Sequence, residues 1–452
     1  MTTTVLFFSE KITPRLRYTV ATIIGNLSGL DFIFTQDKSA FLSADLPKIN
    51  YSKMQICGKE LRISPHPLLF DNSIQPYLIE SENDFFINPN NNNLVTELFN
   101  FDVFARIFFL VSRYEEYNCP TTLLDAYQRF SSTLSVASKL GFLQQPIVNQ
   151  YIIQLSKQLK NIFPNLKTQF PTYKFQPTFD IDMAWTYKNK GILRNSGGFL
   201  QDILSGRFNS IRNRANILRG INNDPYYTFE YIKKLHQSHD LKPVVFWLLG
   251  DLAKYDKNID WTVPEFQTLI QSFAKDFRVG IHPSYRSNQS VSILKMEVER
   301  LENILSSIPP LAVRGQNTEG EQKTFPSRQH FLKLRFPDTY RRLIDVGIRE
   351  DWTMGYADET GFRASIATPF PWFDLEKNEE TPLIIHPFQA MDVTLNNYLR
   401  LTPEAALERL QSLMDTTKSV GGTFTTLWHN DNLAEMDAWK GWRAVYEKLL
   451  NT

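Results

Sequence analysis

Apolar positions in the first 165 residues fall into short runs. Residues 5–8, 61–63 and 85–87, separated by Pro and Asn, read as strands joined by turns. Asn88-Pro-Asn-Asn-Asn-Asn93 reads as a loop, because Asn side chains compete for backbone hydrogen bonds and tolerate unusual dihedrals. From Asp102 the spacing turns helical, with Val103, Ile107, Leu110, Val111 and Tyr114 on one face and Arg113-Tyr-Glu-Glu-Tyr117 closing the helix. A second helix is predicted over 147–163 through Ile152, Leu155, Leu159 and Ile162, and Pro164 and Pro171 mark a linker near 164–175. Beyond the linker, strands predicted at 175–182, 243–249, 277–281, around Ala312 and Gly347, and at 383–386 and 423–428 alternate with helices. Asp224-Pro225 predicts the cap and first-turn proline of a helix over 225–237. Ser290 precedes a helix carrying Leu294, Val298, Leu301 and Leu305; Thr402-Pro403 opens one carrying Leu407, Leu410 and Met414. Trp439, Trp442, Tyr446 and Leu449 mark the last. Strands alternating with helices predict parallel pairing in an α/β sheet or barrel.

A length of 452 residues suggests two or three domains, and the pattern divides them into a smaller α+β domain at 1–165 and an α/β domain at 172–452. The chain is 42% apolar with 34 Phe, enough for sizeable cores and against disorder. Its 49 Lys+Arg balance 48 Asp+Glu, a net charge of +1 that argues against a nucleic-acid binder with a wholly basic surface. Cys57 and Cys119 cannot form a disulfide framework. The apolar run at 5–8 has no basic region before it and no cleavage site after it, so it predicts a strand rather than a signal peptide. The longest apolar stretches elsewhere, 107–111 and 244–249, fall far short of the roughly 20 residues that span a bilayer. A cytoplasmic protein is expected.

In a parallel barrel, reactive residues gather at the carboxyl ends of the strands. Those ends read Asp180-Ile-Asp182, His282-Pro-Ser-Tyr285, Arg328-Gln-His330, Asp351-Trp352, His386 with Asp392, and Trp428-His429-Asn-Asp431. In an extended strand Asp180 and Asp182 point to one face and can reach one site. One carboxylate with two imidazoles is a common open ligand set for zinc or another divalent metal. A free carboxylate beside it can take a proton from water, and a further His can protonate a leaving group. An Asp-x-Asp pair is also found as a solvated turn or cap, and in glycosyltransferases that hold a metal and a nucleotide diphosphate. That last reading leaves His282, His330 and His429 without a role. His386 is expected to be structural, His66 between two prolines to shape a loop, and His236 and His239 to lie on a solvated helix face.

Thr178-Phe-Asp-Ile-Asp182 resembles the first motif of the polysaccharide deacetylases, the NodB-homology group, in the variant with one residue between its aspartates. Gly280-Ile-His-Pro-Ser284 resembles the second motif, Ser327-Arg-Gln-His330 stands where the third is expected, Gly347-Ile-Arg-Glu-Asp-Trp352 resembles the fourth and Leu427-Trp-His429 the fifth. The resemblance spans about 172–450 and implies a distorted, TIM-barrel-like (β/α) barrel in carbohydrate metabolism. It implies a metal-dependent N-deacetylase acting on an N-acetylated glycan or glycan precursor, with Asp180 as base and His429 as general acid. Asp182 and His282 would be metal ligands, and Arg328 would orient the base. Asp351 and Asp392 would support the site, and Tyr285, Trp352 and Trp428 would line the sugar cleft. Zinc is the expected ion, with cobalt or nickel as alternatives. The family's second motif normally carries another His four residues on; here that position is Arg286, and His330 is the best replacement. If His330 does not reach, the chain would be an inactive glycan-binding or scaffold protein. The stretches Asp351-Trp-Thr-Met-Gly-Tyr-Ala-Asp358, Gly361-Phe-Arg-Ala364, Phe101-Asp-Val-Phe-Ala105 and Ser112-Arg-Tyr-Glu-Glu-Tyr117 resemble a subgroup with an additional N-terminal domain of unknown function.

The segment 188–219, within an expected basic insertion at 188–223, carries Lys188, Lys190, Arg194, Arg207, Arg212, Arg214 and Arg219 against Asp202, a local charge of +6. Phe199, Leu200, Ile203, Leu204 and Phe208 are interleaved. It reads either as a helical excursion with solvated arginines or as a surface for an anionic glycan, a diphosphate carrier or a membrane face.

Overall fold

A computed structural model describes residues 2–76, 102–306 and 324–451. The strand predicted at 85–87, the Asn88–Asn93 loop and the strand near Ala312 lie outside these residues. The fold is mixed α/β with parallel sheets.

The first sheet contains β1 (Thr4–Ser9), β2 (Asp31–Thr35), β3 (Lys48–Tyr51) and β4 (Leu61–Arg62) in the order β2-β1-β3-β4, all parallel. The expected α+β segment of strands and turns is therefore corrected to a parallel α/β arrangement. A helical run over 14–28, π-helical at Tyr18–Ile24, crosses from β1 to β2, and Lys38–Ser43 crosses from β2 to β3. The central strand explains the choice: Val5, Leu6, Phe7 and Phe8 are all buried, the unbroken apolar run of a strand covered on both faces. Helix Val103–Val111 is buried along its whole length and is capped by Asp102, which accepts from the N–H of Phe104 (2.9 Å) and Ala105 (3.1 Å). It does not continue through 117 as predicted. Arg113 turns left-handed at φ 56°, its guanidinium meets Glu116 at 2.7 Å, and a separate turn, Tyr114–Tyr117, follows.

The second sheet carries β5 (Lys174–Ile181), β6 (Val244–Leu248), β7 (Arg278–His282), β8 (Glu350–Asp351), β9 (Phe370–Asp374), β10 (Glu379–Ile385), β11 (Ala390–Met391) and β12 (Thr423–His429). Five of them pair in parallel in the order β11-β12-β5-β6-β7. Ser327 bridges Ile281 on one side and Asp351 on the other, carrying the array to β8 and β10. Among the described residues no pairing joins β11 to β9 or β10, so the array does not close into a barrel. The β9–β10 hairpin is antiparallel, and only its last residues were legible as a strand because Pro371 interrupts the first arm. Register sets the functional rim: His429 pairs beside Asp180, and Leu248 beside His282. Gly280 permits the close approach of the Ser327 segment, since a Cβ there would meet Pro326 O at 2.4 Å.

Helices Phe229–Ser238, Pro264–Asp276, Val291–Leu305, Pro403–Ser419 and Trp442–Leu450 cover the second sheet. Asp224 does not cap the first of these as predicted; it accepts instead from the N–H of Thr186 (2.7 Å) and Tyr187 (2.9 Å), and Thr228 occupies the N-cap. Nor is His236 solvated. It is fully buried, with Nδ1 2.7 Å from Ile232 O and Nε2 2.7 Å from the Tyr446 hydroxyl, and burial pulls its pKa down to about 4. One large apolar cluster runs from Val5 to Leu449 through both sheets, with smaller clusters beside it. Polar ties accompany it: Tyr18 donates to Pro371 O (2.7 Å), Val148 N to Ser365 O (3.0 Å), and Arg363 grips Glu116 through two bonds of 2.5 and 3.0 Å.

Candidate metal centre and cleft

The rim of the second sheet gathers residues far apart in the chain. Asp180 is the penultimate residue of β5 and Asp182 follows its end; His282 ends β7; His429 ends β12. His330 opens a short 3-10 turn, His330–Leu332, after the Ser327 bridge, and its N–H is held by Pro283 O at 3.1 Å. They surround a pocket of about 380 Å³.

Asp182, His282 and His330 each offer one atom, all within 4.8 Å of one another, a group that could hold a metal ion. His282 Nε2 is 3.2 Å from Asp182 Oδ1, and His330 Nε2 is 3.4 Å from Asp182 Oδ2. The opposite ring nitrogens fix the tautomers. His282 Nδ1 lies 2.6 Å from the Arg328 carbonyl and His330 Nδ1 lies 2.8 Å from Asp256 Oδ1. A carbonyl or carboxylate can only accept, so both Nδ1 atoms carry protons and both Nε2 atoms face the pocket. Asp182 Oδ1 is buried without a hydrogen bond, an acceptor whose shortfall a cation would supply. Burial would raise the Asp182 pKa, but His330 and His282 outweigh it and hold the carboxyl well below its ordinary range. Burial lowers the His330 pKa, yet Asp182 and Asp256 carry it up to about 9. Arg286, four residues past His282, is exposed and takes no part.

Asp180 sits deeper. Its Oδ1 accepts from Arg328 Nη1 at 3.0 Å, and its Oδ2 lies 3.7 Å from His282 Nε2. Arg328 is fully buried and also bonds Thr178 Oγ1 (2.7 Å) and Trp352 O (2.9 Å), so its position is fixed by β5 and by the residue that follows β8. His429 Nδ1 is 2.8 Å from Asp392 Oδ1, and Asp392 Oδ2 accepts from the His429 N–H (2.8 Å) and Asn432 (2.9 Å). The ring's Nε2 lies 3.9 Å from Asp182 Oδ2. Burial lowers the His429 pKa, but Asp392, Asp182 and Asp180 push it up to about 10.

Some expected residues lie elsewhere. Trp428 is a core residue against Trp442 and Tyr446, because adjacent strand positions face opposite sides and His429 takes the pocket side. Trp352 packs with Val244 and Phe246 and stacks on His386 at 4.1 Å. Tyr285 forms a layer behind Phe331, against Tyr255 (4.5 Å). Asp351 is buried between Ser327 and Thr353, burial raises its pKa to about 6, and it ties strand ends together rather than facing the cleft. His386 approaches Glu350 at 3.0 Å, and His66 caps a short turn by accepting from Leu68 N.

The pocket's aromatic wall is instead Tyr127, Phe331 and Tyr398. Tyr127 and Arg129 come from the segment before residue 165, with Arg129 tied to Asp125 (2.7 Å), Phe331 O (3.2 Å) and the Tyr398 hydroxyl (2.7 Å). Phe331 and Leu332 hold positive φ angles of 60° and 54°, a strained turn of the kind found at functional sites. Asp256, which the motifs missed, is wholly buried. Besides His330 it accepts from Tyr285 N (2.9 Å), and its Oδ2 has no hydrogen bond.

Residues 5–164 match the model of a family of unknown function, DUF7033. No curated protein matches the chain. Among solved structures, the chain is similar to one described as a polysaccharide deacetylase from Mycobacterium smegmatis, at 14% identity and a TM-score of 0.38, over 62% of this chain and 83% of that one. It is also similar to the Puue allantoinase, at 10% identity and a TM-score of 0.37, over 61% and 83%. Likenesses this distant carry no functional argument, which rests on the rim's own geometry.

Proposed function

We propose that the chain is a metal-dependent hydrolase that removes an N-acetyl group from a glycan or glycan precursor. The observation that carries this reading is the convergence on one pocket of three groups. They are the donor set Asp182, His282 and His330; Asp180 gripped by buried Arg328; and His429 backed by Asp392. The donors suit a divalent ion: two imidazole nitrogens and a carboxylate, with an unsatisfied oxygen among them. Zinc is the expected ion, with cobalt and nickel also suited to such ligands. When bound, it supplies Lewis acidity toward an amide carbonyl and lowers the pKa of water.

The chain's own residues divide the proton work. Arg328 occupies one oxygen of Asp180, so the other faces the pocket and takes a proton from the attacking water. Asp392 fixes the His429 ring and favours its charged form, so its Nε2 gives a proton to the departing sugar amine as acetate leaves. Tyr127, Phe331 and Tyr398 offer faces to the apolar side of a sugar, in a volume of about 380 Å³.

The test is acetate release from N-acetylated oligosaccharides by the metal-loaded protein and by Asp180→Asn. The variant should keep its metal and lose about 10²–10⁴-fold in rate. Unchanged release would sink the mechanism. Failure to take up metal under any loading condition would favour an inactive glycan-binding or scaffold protein.

A further inference from the structure

Helix Gly191–Leu204 is inside out. Its one buried residue is the acid Asp202, while an apolar stripe faces solvent: Ile192 is 85% exposed, Leu193 89% and Leu204 79%. The neighbouring helix Phe208–Leu218 continues the surface with Phe208, 72% exposed, and Ile221 follows it at 66%. Of the sixteen large apolar side chains exposed among the described residues, eight lie between 192 and 221. A groove of about 580 Å³ opens between the helices along Phe199, Ile203 and Leu218, room for an acyl chain. An amphipathic helix ordinarily turns its apolar stripe toward the core, so this one is built for an apolar environment outside the molecule.

The charge says which environment. The segment 188–219 carries +6, and its only acid is already shared by Arg207 (3.1 Å) and Arg214 (2.8 Å). Arg212 and Arg219 stand exposed beside the stripe. Two copies meeting through this face would bring like charges together, and a nucleic acid would leave the apolar stripe wet. An anionic lipid surface satisfies both. No described helix is long and apolar enough to cross a membrane. Arg194 pins the first helix to the body through the carbonyls of Lys257 (2.7 Å) and Asn258 (2.8 Å). The segment springs from the rim itself, with Lys190 Nζ 2.8 Å from the sulfur of Met183, the residue after Asp182.

We propose that the helix pair of residues 191–218 is an interfacial anchor that lies on an anionic lipid surface, apolar stripe in the acyl boundary and arginines among the headgroups. It holds the mouth of the metal cleft near the bilayer, where a lipid-carried substrate would be presented.

The test is co-sedimentation of the full chain with phosphatidylcholine vesicles, with and without phosphatidylglycerol. Wild type should bind the anionic vesicles and not the neutral ones. The double variant Arg212→Gln/Arg219→Gln should lose about 25-fold, because each basic side chain near such a surface contributes about a factor of five. The quadruple variant Ile192→Ser/Leu193→Ser/Leu204→Ser/Phe208→Ser should lose binding while its unfolding midpoint stays put, since these side chains are exposed. Three results overturn the anchor: no vesicle binding by wild type, equal binding by the quadruple variant, or tighter binding to a duplex oligonucleotide than to vesicles. A lipid-free dimer that the quadruple variant dissolves overturns it too, by assigning the face to a second copy.

Discussion

The chain builds two sheets whose strands pair mostly in parallel, and the carboxyl ends of those parallel strands are finished differently. At the first, Ser9, Tyr51 and Asp102 each answer to a neighbouring piece of chain. Ser9 donates to Lys11 O (2.8 Å), the Tyr51 hydroxyl donates to Asp102, and Asp102 also caps a helix and accepts from His66 N (2.8 Å). At the second, Asp182 and Asp256 each keep a buried oxygen without a hydrogen bond, and two imidazoles aim their free nitrogens at the same point. Both rims have the architecture that hosts ligands in α/β proteins. The difference teaches that architecture offers a place, whereas unspent hydrogen-bonding and ligating capacity marks where chemistry is placed.

Substitutions can break or sharpen that contrast. The largest effect is expected from His282→Ala. Elemental analysis of the loaded protein should show near-stoichiometric metal in the wild type and none in the variant. Retained metal would remove the second rim's distinction.

Next is acid stability, set behind the second rim by His236. Its buried pKa of about 4 lies below an ordinary value near 6.5, so between those values the unfolded chain binds a proton that the folded chain refuses. Stability from this residue is intact above pH 6.5 and falls as pH drops, by up to about 3 kcal/mol at pH 4. Urea unfolding at pH 7 and pH 4.5 should show that difference shrinking in His236→Gln. An unchanged pH dependence would assign the acid lability to other groups.

Asp256→Asn should follow, lowering metal affinity about 10–100-fold in a chelator competition while leaving the fold intact, since it removes the carboxylate that orients His330. Smallest is the control at the first rim. Asp102→Ala should cost about 1–2 kcal/mol in denaturant unfolding through the lost helix cap, with metal content unmoved. A loss of metal there would show that the two rims are not independent.

Much of the second sheet was legible because β6 is an unbroken apolar run and β5, β7 and β12 are largely buried strands with Asp or His at or next to their last position. The first sheet was harder. β2 is an edge strand with mixed exposure, and the helical run after β1 contains the β-branched residues Thr19, Val20, Thr22, Ile23 and Ile24, which local preference assigns to strands. Within the site, the residues at strand ends came together, but Asp256 sits between Tyr255 and Lys257 in a polar loop that resembles any solvated turn. Tyr127 and Arg129 reach Phe331 and Tyr398 across about half the chain, and no local pattern encodes such a contact. Trp352 and Trp428 were misplaced because a sequence shows that an aromatic ring is near a rim, not whether it points into the core.

The Arg363–Glu116 grip has a consequence for anyone who would divide the protein. Expressing residues 172–452 by themselves would part the Arg363 guanidinium from the carboxylate that holds it, bare the apolar surface that the leading segment covers, and remove the Arg129 contact from the strained Phe331 turn. The shorter piece would be a damaged protein rather than a minimal one. Insertions and deletions near residue 165 should therefore be tolerated only when both partners of each tie are kept, which couples the evolution of the leading segment to that of the cleft it helps to wall.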